Sequence, residues 1–474
     1  MINITQDDYN IAKQRNVERY IKLNLLDFQY RIVDEISGDM LSCSISCDAN
    51  SDLRRSCNVS LVAKNGKYDV GVGSRIFLDK MIQVYIGLRN IYTGDIQWYN
   101  QGIYLIDAPS YEYNAITNTL SFSGLDLMSK LTGARNGQLE GIPTVIKQGE
   151  NVRNAIIATL KLGGFTKYIV SECANRDGSI QAVPYDIEID QGGYVYDILS
   201  ALRDILPQYQ IYFDVNGVFH YDLIPSGENE PVIITDDIWK NILVNENVST
   251  DFADVKNYIE VYGRTHDPEY YPSSISVSGS NITMNISKLT ALTDYATIGF
   301  TPNANVNGNI QLTVNSFGAK NFVNSSGGFV TSLNANTYYV AQFQPNGTWL
   351  FLGHQQAVGI WSDDNPESPF YVNGPVGRIR QVLVGEDYDN IVSDDLALQR
   401  AKLEIYWKCR LNDSIDLTIV PLPWIDVNVV VSHSPKDSTE EKKFIIKTFS
   451  VDYGNITSTM TVNLISFYPY YPIL

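Results

Sequence analysis

The residue types that most often do chemistry are few and scattered in this chain. The four histidines are His220, His266, His354 and His433, and no two of them have the spacing of metal ligands. The sequence contains no HExxH, GxSxG or GxxxxGK[ST] motif, so it carries no signature of a zinc peptidase, a serine hydrolase or a P-loop NTPase. Cys173, in the polar segment SECANRDG, would need a histidine brought to it by the fold, and we interpret it as an ordinary loop thiol.

Three further cysteines lie close together at Cys43, Cys47 and Cys57. A structural zinc site requires four nitrogen or sulfur ligands, and this segment has no fourth ligand and no histidine. Because Cys43 and Cys47 share the parity of one strand, we predict that they face one core as small apolar residues. The acidic run at 363–367 lacks the ligand spacing of an EF-hand and is interpreted as a solvated linker. We therefore expect no metal, no cofactor and no catalytic residue.

Composition narrows the classes of protein to which the chain can belong. The net charge is −18, which argues against a stable nucleic-acid binder. No apolar run reaches the roughly 18 residues of a membrane-spanning helix, and the first residues do not form a signal peptide, so synthesis and folding in a cytoplasm are expected. The 31 tyrosines and the abundant asparagine are typical of surfaces that assemble with other proteins.

The pattern of strands and helices divides the chain into four predicted regions and indicates a mainly β (α+β) fold. Residues 1–135 read as a short helix followed by a β-barrel, because short strands alternate with Gly and Asn turns. Residues 136–229 contain two helical stripes and a hairpin signal, Asn216-Gly217, as in a small α+β domain. Residues 230–265 plus 374–474 predict a second, similar barrel. Residues 266–373 are poor in charge and rich in turns, and predict a β-rich module inserted into that barrel.

The second barrel is predicted to carry a long helix with a clear beginning and end. Ser393 is a suitable N-cap, two aspartates follow it, and Lys408 lies near the end, as the helix dipole favours. Its apolar residues form two opposed stripes on a helical wheel. One stripe consists of Leu396, Leu403 and Trp407, and the other of Leu398, Ala401, Ile405 and Cys409. A surface helix has one apolar stripe, so this helix should be covered on two sides, either by two layers of one subunit or by a neighbouring subunit.

Several short segments resemble the central baseplate hub proteins of tailed bacteriophages, especially phages of Gram-positive hosts. They are LRRS at 53–56, VSL at 59–61, Trp98 with QGIY at 101–104, LSFSGLD at 120–126, LTG at 131–133, SDDLA at 393–397 and PLPWIDV at 421–427. The resemblance covers both predicted barrels and the middle domain. The predicted insertion instead resembles small β modules of phage tail-tip and fibre proteins, through VNSFGAK at 314–320 and TWLF at 348–351.

This resemblance implies a structural virion protein that forms a homotrimer at the tail tip. Two barrels per chain would make a ring of six that meets the hexameric tail tube or a distal tail adaptor, and a trimeric spike or tail-tip protein would attach below. The tape measure protein is a further candidate partner. DNA would leave through the ring without specific binding, and an acidic lumen would favour its passage. The expected interface residues are Leu396, Leu403, Trp407, Trp424, Arg54 and Arg55.

Two functions of other classes are kept as alternatives. A receptor-binding tail protein would recognise host surface glycan through the inserted module, with aromatics such as Trp349 or Trp361 exposed in a shallow groove. A tail-associated cell-wall hydrolase would hold a Cys-His pair or two carboxylates in a cleft, and only their separation in space would reveal such a carboxylate pair.

Overall fold

The computed structural model describes residues 5–466 apart from 15–16, 64–67, 114–117, 141–143, 173–181, 207–208, 226–229, 436–437, 439 and 455–457. Within these residues the chain forms two compact units. The first contains residues up to 172, 186–251 and 412–466, and the second contains residues 182–185 and 252–411. Cys173 lies outside the described residues. Among those that are described, no helix is both long enough and apolar enough to cross a bilayer.

The helices and strands of the first unit follow the chain in this order. They are α1 (Gln6–Ala12), β1 (Arg19–Leu26), β2 (Ile32–Ser37), β3 (Met40–Asp48), β4 (Arg55–Val62), β5 (Met81–Arg89), β6 (Ile96–Tyr113), β7 (Asn118–Asp126), β8 (Thr144–Ile146), α2 (Val152–Leu162), β9 (Tyr168–Val170), β10 (Ile187–Ile189), α3 (Val195–Asp204), β11 (Tyr209–Phe213), β12 (Phe219–Leu223), α4 (Asp236–Ile242) and β13 (Leu243–Asp251).

The chain then forms the second unit and returns to the first. The second unit contains β14 (Tyr258–Thr265), β15 (Ser274–Ser278), β16 (Asn281–Asn285), β17 (Thr297–Phe300), β18 (Val306–Asn307), β19 (Gln311–Val314), β20 (Ala319–Val323), β21 (Ser332–Leu333), β22 (Tyr339–Phe343), β23 (Trp349–Gly353), β24 (Gln356–Ser362), β25 (Arg380–Leu383) and α5 (Asp394–Lys408). The last strands of the first unit are β26 (Asn412–Ile419), β27 (Val430–His433), β28 (Lys442–Asp452) and β29 (Met460–Ser466).

A twelve-stranded antiparallel sheet dominates the described part of the first unit. Its order is β13-β26-β29-β28-β3-β4-β7-β6-β5-β1-β2, and β27 pairs with β28. In β4 the residues alternate between buried and less buried positions, as a strand with one face on a core requires. Strands from both predicted barrels belong to this sheet, because β28 pairs with β3 from Thr448–Asp48 to Asp452–Ser44. The prediction of a mainly β fold is confirmed.

Local sequence signals of the first unit agree with the structure. Helix α1 begins with a capping box in which the Thr5 amide donates to the Asp8 carboxylate at 2.7 Å. Cys43 and Cys47 are both buried in the core of the large sheet, as their shared parity predicts. Asn216-Gly217 forms the β11–β12 turn, where Gly217 has a φ of +71° that an L side chain adopts only with strain.

The described residues of the second unit form two main sheets. A seven-stranded sheet, in the order β15-β16-β19-β20-β23-β22-β17, lies within residues 274–353 and surrounds its own apolar core. A three-stranded sheet has the order β24-β14-β25 and packs against α5. Strand β24 lies inside the range predicted for the insertion, yet it pairs with β14 from the segment that precedes it. The predicted domain boundaries themselves stay predictions.

Candidate functional site

Helix α5 begins and ends where its sequence signals place it. The Ser393 hydroxyl accepts a hydrogen bond from the Leu396 amide at 3.3 Å, so Ser393 caps the helix as predicted. Asp394 and Asp395 occupy the first turn and Lys408 the last. These charges complement the helix dipole at both ends. The cap therefore fixes the direction in which the first turn presents its two carboxylates.

Asp394 and Asp395 connect the helix to strand β24 and to two loops of the seven-stranded sheet region. The Asp394 carboxylate accepts hydrogen bonds from the Val358 amide at 2.9 Å and the His354 amide at 3.2 Å, and it lies 2.7 Å from His354 Nδ1. Burial raises the pKa of Asp394. The Asp395 carboxylate accepts from both the amide and the hydroxyl of Ser325, at 3.1 and 2.8 Å. The helix thus positions these loops through its first turn.

Two glycines let the three-stranded sheet lie directly on α5 and the segment before it. A Cβ placed on Gly359 would lie 2.1 Å from the Leu398 amide nitrogen and 2.2 Å from the Ala397 carbonyl carbon. A Cβ on Gly263 would lie 2.2 Å from the Ile391 carbonyl oxygen. Real Cβ atoms do not approach backbone atoms this closely, so both positions require glycine.

The core between α5 and the sheet uses residues from both predicted stripes. Ala397 and Ala401 are fully buried against Ile259 and Val261, and the following residues pack against this cluster. They are Leu383, Ile391, Tyr388, Leu396 and Ile405. Because these helix positions span about half of the circumference at 100° per residue, the sheet contacts a broad face rather than a single stripe. Leu396 and Ile405, which the helical wheel places on opposed sides, lie at the two edges of this face.

The remaining predicted helix residues are covered to different degrees. Leu403 is fully buried and Trp407 is half-buried, and no residue of α5 is fully exposed. Glu404 is also buried, where Arg400 and Lys408 bind its carboxylate at 2.7 and 3.1 Å. The apolar stripes do not reveal this cluster, although the successive i, i+4 spacing of Arg400, Glu404 and Lys408 is its signal in the sequence. A contact of Leu396, Leu403 or Trp407 with a second subunit stays a prediction.

Arg54 and Arg55 lie inside the first unit. Arg55 forms an ion pair with Asp426, and its backbone amide donates to the Asp126 carboxylate at 3.0 Å. Arg54 donates to Gln210 Oε1 at 2.8 Å. Both arginines are only 5% exposed. They therefore link segments that are far apart in sequence, and any contact that they make with another subunit stays a prediction.

Aromatic rings extend this connection within the first unit. The guanidinium of Arg54 lies 4.0 Å from the ring centre of Tyr212, which stacks on His220. Trp424 is 3% exposed, with its ring 5.4 Å from those of both Tyr9 and Tyr99. Trp424, which was predicted at an interface, thus already has partners within the chain.

The pKa of His220 is raised enough that its imidazole is positively charged at neutral pH. Burial alone would lower its pKa, but Asp214 and Asp222 lie 3.5 Å from its two ring nitrogens and outweigh that effect. They raise the pKa of His220 to about 9. The positive imidazolium therefore holds together two carboxylates beside the β11–β12 hairpin.

Among the described residues, no group of three or more His, Cys, Asp or Glu side chains is arranged to hold a metal ion.

The aromatic residues expected for glycan binding are exposed only in part. Trp349 is 1% exposed and packs against Phe343, so its predicted exposure in a groove is wrong. Trp361 is 43% exposed, with the Lys402 ammonium 4.7 Å from its ring centre.

Comparisons with known proteins found one family model and several similar structures. A family model described as a domain of unknown function (DUF5048) matches residues 367–471. No curated protein sequence matches the chain. The structure is similar to a tail protein from Neisseria meningitidis MC58, with a TM-score of 0.52 and 10% identity, over 94% of this chain and 97% of that one. It is similar to the 43 kDa tail protein of prophage MuSo2 from Shewanella oneidensis, also with a TM-score of 0.52 and 10% identity, over 95% of this chain and 98% of that one. The chain therefore shares the fold of these two tail proteins.

Proposed function

We propose that this chain is a structural protein of a phage-type tail and forms its central hub at the baseplate or tail tip. The observation that carries the proposal is the likeness to two tail proteins over nearly the full length of all three chains. A likeness of that extent includes both the large sheet and the unit that contains α5. The similarity is therefore not limited to a single widespread domain.

In this proposal three copies form a closed ring with the tail tube above and a trimeric spike or tail-tip protein below. A distal tail adaptor or the tape measure protein is a further neighbour. A cyclic trimer needs two different surfaces that meet head to tail, and a chain with two unlike units provides them. The net charge of −18 suits a channel through which DNA passes, because a lumen poor in Lys and Arg makes few phosphate contacts. The protein acts without catalysis and resides in the virion.

The test is the mass and symmetry of the purified full chain. Three copies of the 53.2 kDa chain give about 160 kDa by sedimentation or light scattering, and electron microscopy should show a three-fold ring. A monomer at all accessible concentrations, or a two-fold dimer, would contradict the hub. Cell-wall zymography is the companion measurement, and hydrolytic activity would favour the hydrolase instead.

For the glycan-binding alternative, one of the two predicted aromatic residues is exposed at the surface. Trp349 belongs to the core of the seven-stranded sheet region, and Trp361 is partly covered by Lys402. Binding of the full chain to host surface glycan, lost on Trp361→Ala, would support the receptor-binding function.

A further inference from the structure

The three-stranded sheet of the second unit has a second face, opposite α5. Paired residues on neighbouring strands point to the same side of a sheet. Glu260 pairs with Ile360 on β24 and with Val382 on β25, so these three side chains share one face, while Ile259 and Val261 point toward α5. We call the face that carries Glu260 the outer sheet face. Its members are Tyr258, Glu260, Tyr262, Val358, Ile360, Arg380, Val382 and Val384.

The outer sheet face is apolar yet left open by the described residues. Ile360, Val382 and Val384 are 43%, 40% and 60% exposed. A sheet with one solvated face normally shows polar residues there, whereas strands that are apolar on both sides are typical of sheets covered on both faces. Strand β25 with the residue after it has buried Leu383 between exposed Val382 and Val384, so it follows the second pattern.

The polar residues on this face are arranged around its centre and give it a positive rim. The Glu260 carboxylate is buried because Arg380 binds both of its oxygens at 2.7 Å and the Tyr262 hydroxyl donates to it at 3.0 Å. The Arg380 guanidinium holds the pKa of Glu260 below its usual range, so that carboxyl stays ionised. Arg378 lies 4.3 Å from the ring centre of Tyr258 and adds a positive charge that Glu260 does not neutralise.

The size of the face limits what can bind to it. Three strands spaced about 4.8 Å apart, with about five residues each, cover roughly 200 Å². A stable pair of proteins buries about 800 Å² on each partner. The face is therefore too small to hold a separate partner alone and suits one contact among several between the same two molecules.

We propose that the outer sheet face is a contact between copies of this chain. The inference rests on the proposed ring, in which neighbouring copies meet through several surface regions. Each copy carries a net charge of −18, so a second copy offers acidic surface to the Arg378 charge that Glu260 does not neutralise. Burial of the exposed Ile360, Val382 and Val384 against that copy removes apolar surface from water.

The test compares the assembly of the unaltered chain with that of the double variant Val382→Glu and Val384→Glu. Val382 is on the outer side of the edge strand β25 and Val384 directly follows that strand, so the variant should keep its circular dichroism and melting temperature. We expect its dissociation constant for assembly to rise at least tenfold in sedimentation, because two carboxylates are forced into an apolar contact. Leu162→Glu, at an α2 position that is 62% exposed, is the matched control and should leave assembly unchanged.

A second measurement uses only the unaltered chain, so it does not depend on whether a variant folds. Hydrogen exchange of the unaltered chain, measured above and below its dissociation constant, should be slower at the amides of β25 when the chain is assembled, beyond the protection that pairing with β14 already gives. If the unaltered chain forms a trimer but the double variant forms it equally well, or the exchange of the β25 amides does not change on assembly, the outer sheet face is not the contact and the hub proposal stands. A monomeric unaltered chain would overturn both. Loss of binding to another tail protein with unchanged self-assembly would assign the face to that protein and overturn the inference.

Discussion

The close approach of Gly359 to the backbone of helix α5 yields a quantitative prediction. A methyl group at Gly359 would lie 2.1 Å from the Leu398 nitrogen, whereas ordinary van der Waals contact begins near 3.4 Å. In Gly359→Ala the helix must therefore move by about 1.3 Å, because the obstructing atoms are backbone and cannot rotate away. That shift would separate Ala397 and Ala401 from the core that they fill. Overpacking of this kind costs about 1–3 kcal/mol, and we expect the upper end.

The measurement is denaturant unfolding, supported by hydrogen exchange of the α5 amides. The transition that includes α5 should lose about 3 kcal/mol, which for a unit of this size lowers its melting temperature by roughly 6–12 °C. Gly328→Ala is the matched control in the same unit, because its Cβ would lie 3.4 Å from the Asn324 side chain, an ordinary contact. The control should stay within about 0.5 kcal/mol of the original protein. A similarly small effect for Gly359→Ala would refute the close packing of β24 on α5.

Three other predictions concern charge and assembly. The pKa of His220 is raised to about 9, so its contribution to the free energy of unfolding is complete below about pH 6.5 and is lost as the pH rises toward 9. His220→Gln should flatten the pH profile of unfolding by about 1–2 kcal/mol over that range, allowing for solvent screening, and an unchanged profile would count against the ion pairs. Arg55→Met leaves Asp426 without its partner and should cost about 3–5 kcal/mol in denaturant unfolding; a loss below about 1 kcal/mol would mean that the pair is not important for stability. Trp407→Ala should weaken trimer formation by about 2–4 kcal/mol in sedimentation if Trp407 meets a second subunit. Equal destabilisation of the monomer with unchanged assembly would place Trp407 in the subunit's own core.

Features set by neighbouring residues could be predicted from the sequence. The Ser393 cap, the Asn216-Gly217 turn and the parity of Cys43 and Cys47 each depend on a few adjacent positions, and the structure has all of them. The helix α5 could also be placed, because its cap and terminal charges are local signals. Its partners could not be identified, since periodicity indicates that a face is covered and does not say by what.

Features set by distant segments could not be predicted. Arg54 and Arg55 resembled surface residues because Arg is seldom buried without a partner, and their partners Gln210 and Asp426 are more than 150 residues away. The pairing of β24 with β14 was missed for a similar reason, because the strands lie on opposite sides of a long intervening segment. Gly359 carried a usable signal, since an isolated glycine within a strand often marks a close backbone approach.

The pairing of β28 with β3 has a consequence for synthesis on the ribosome. Strand β3 ends at Asp48, and its partner on one side begins at Lys442, so about 390 residues separate the two. At roughly 5–20 residues per second, β3 waits about 20–80 s with the hydrogen-bonding groups of that edge unpaired. An exposed strand edge readily pairs with another chain. Nascent copies translated from one message are therefore at risk of joining one another through β3, and a chaperone that shields this edge would raise the yield of native protein.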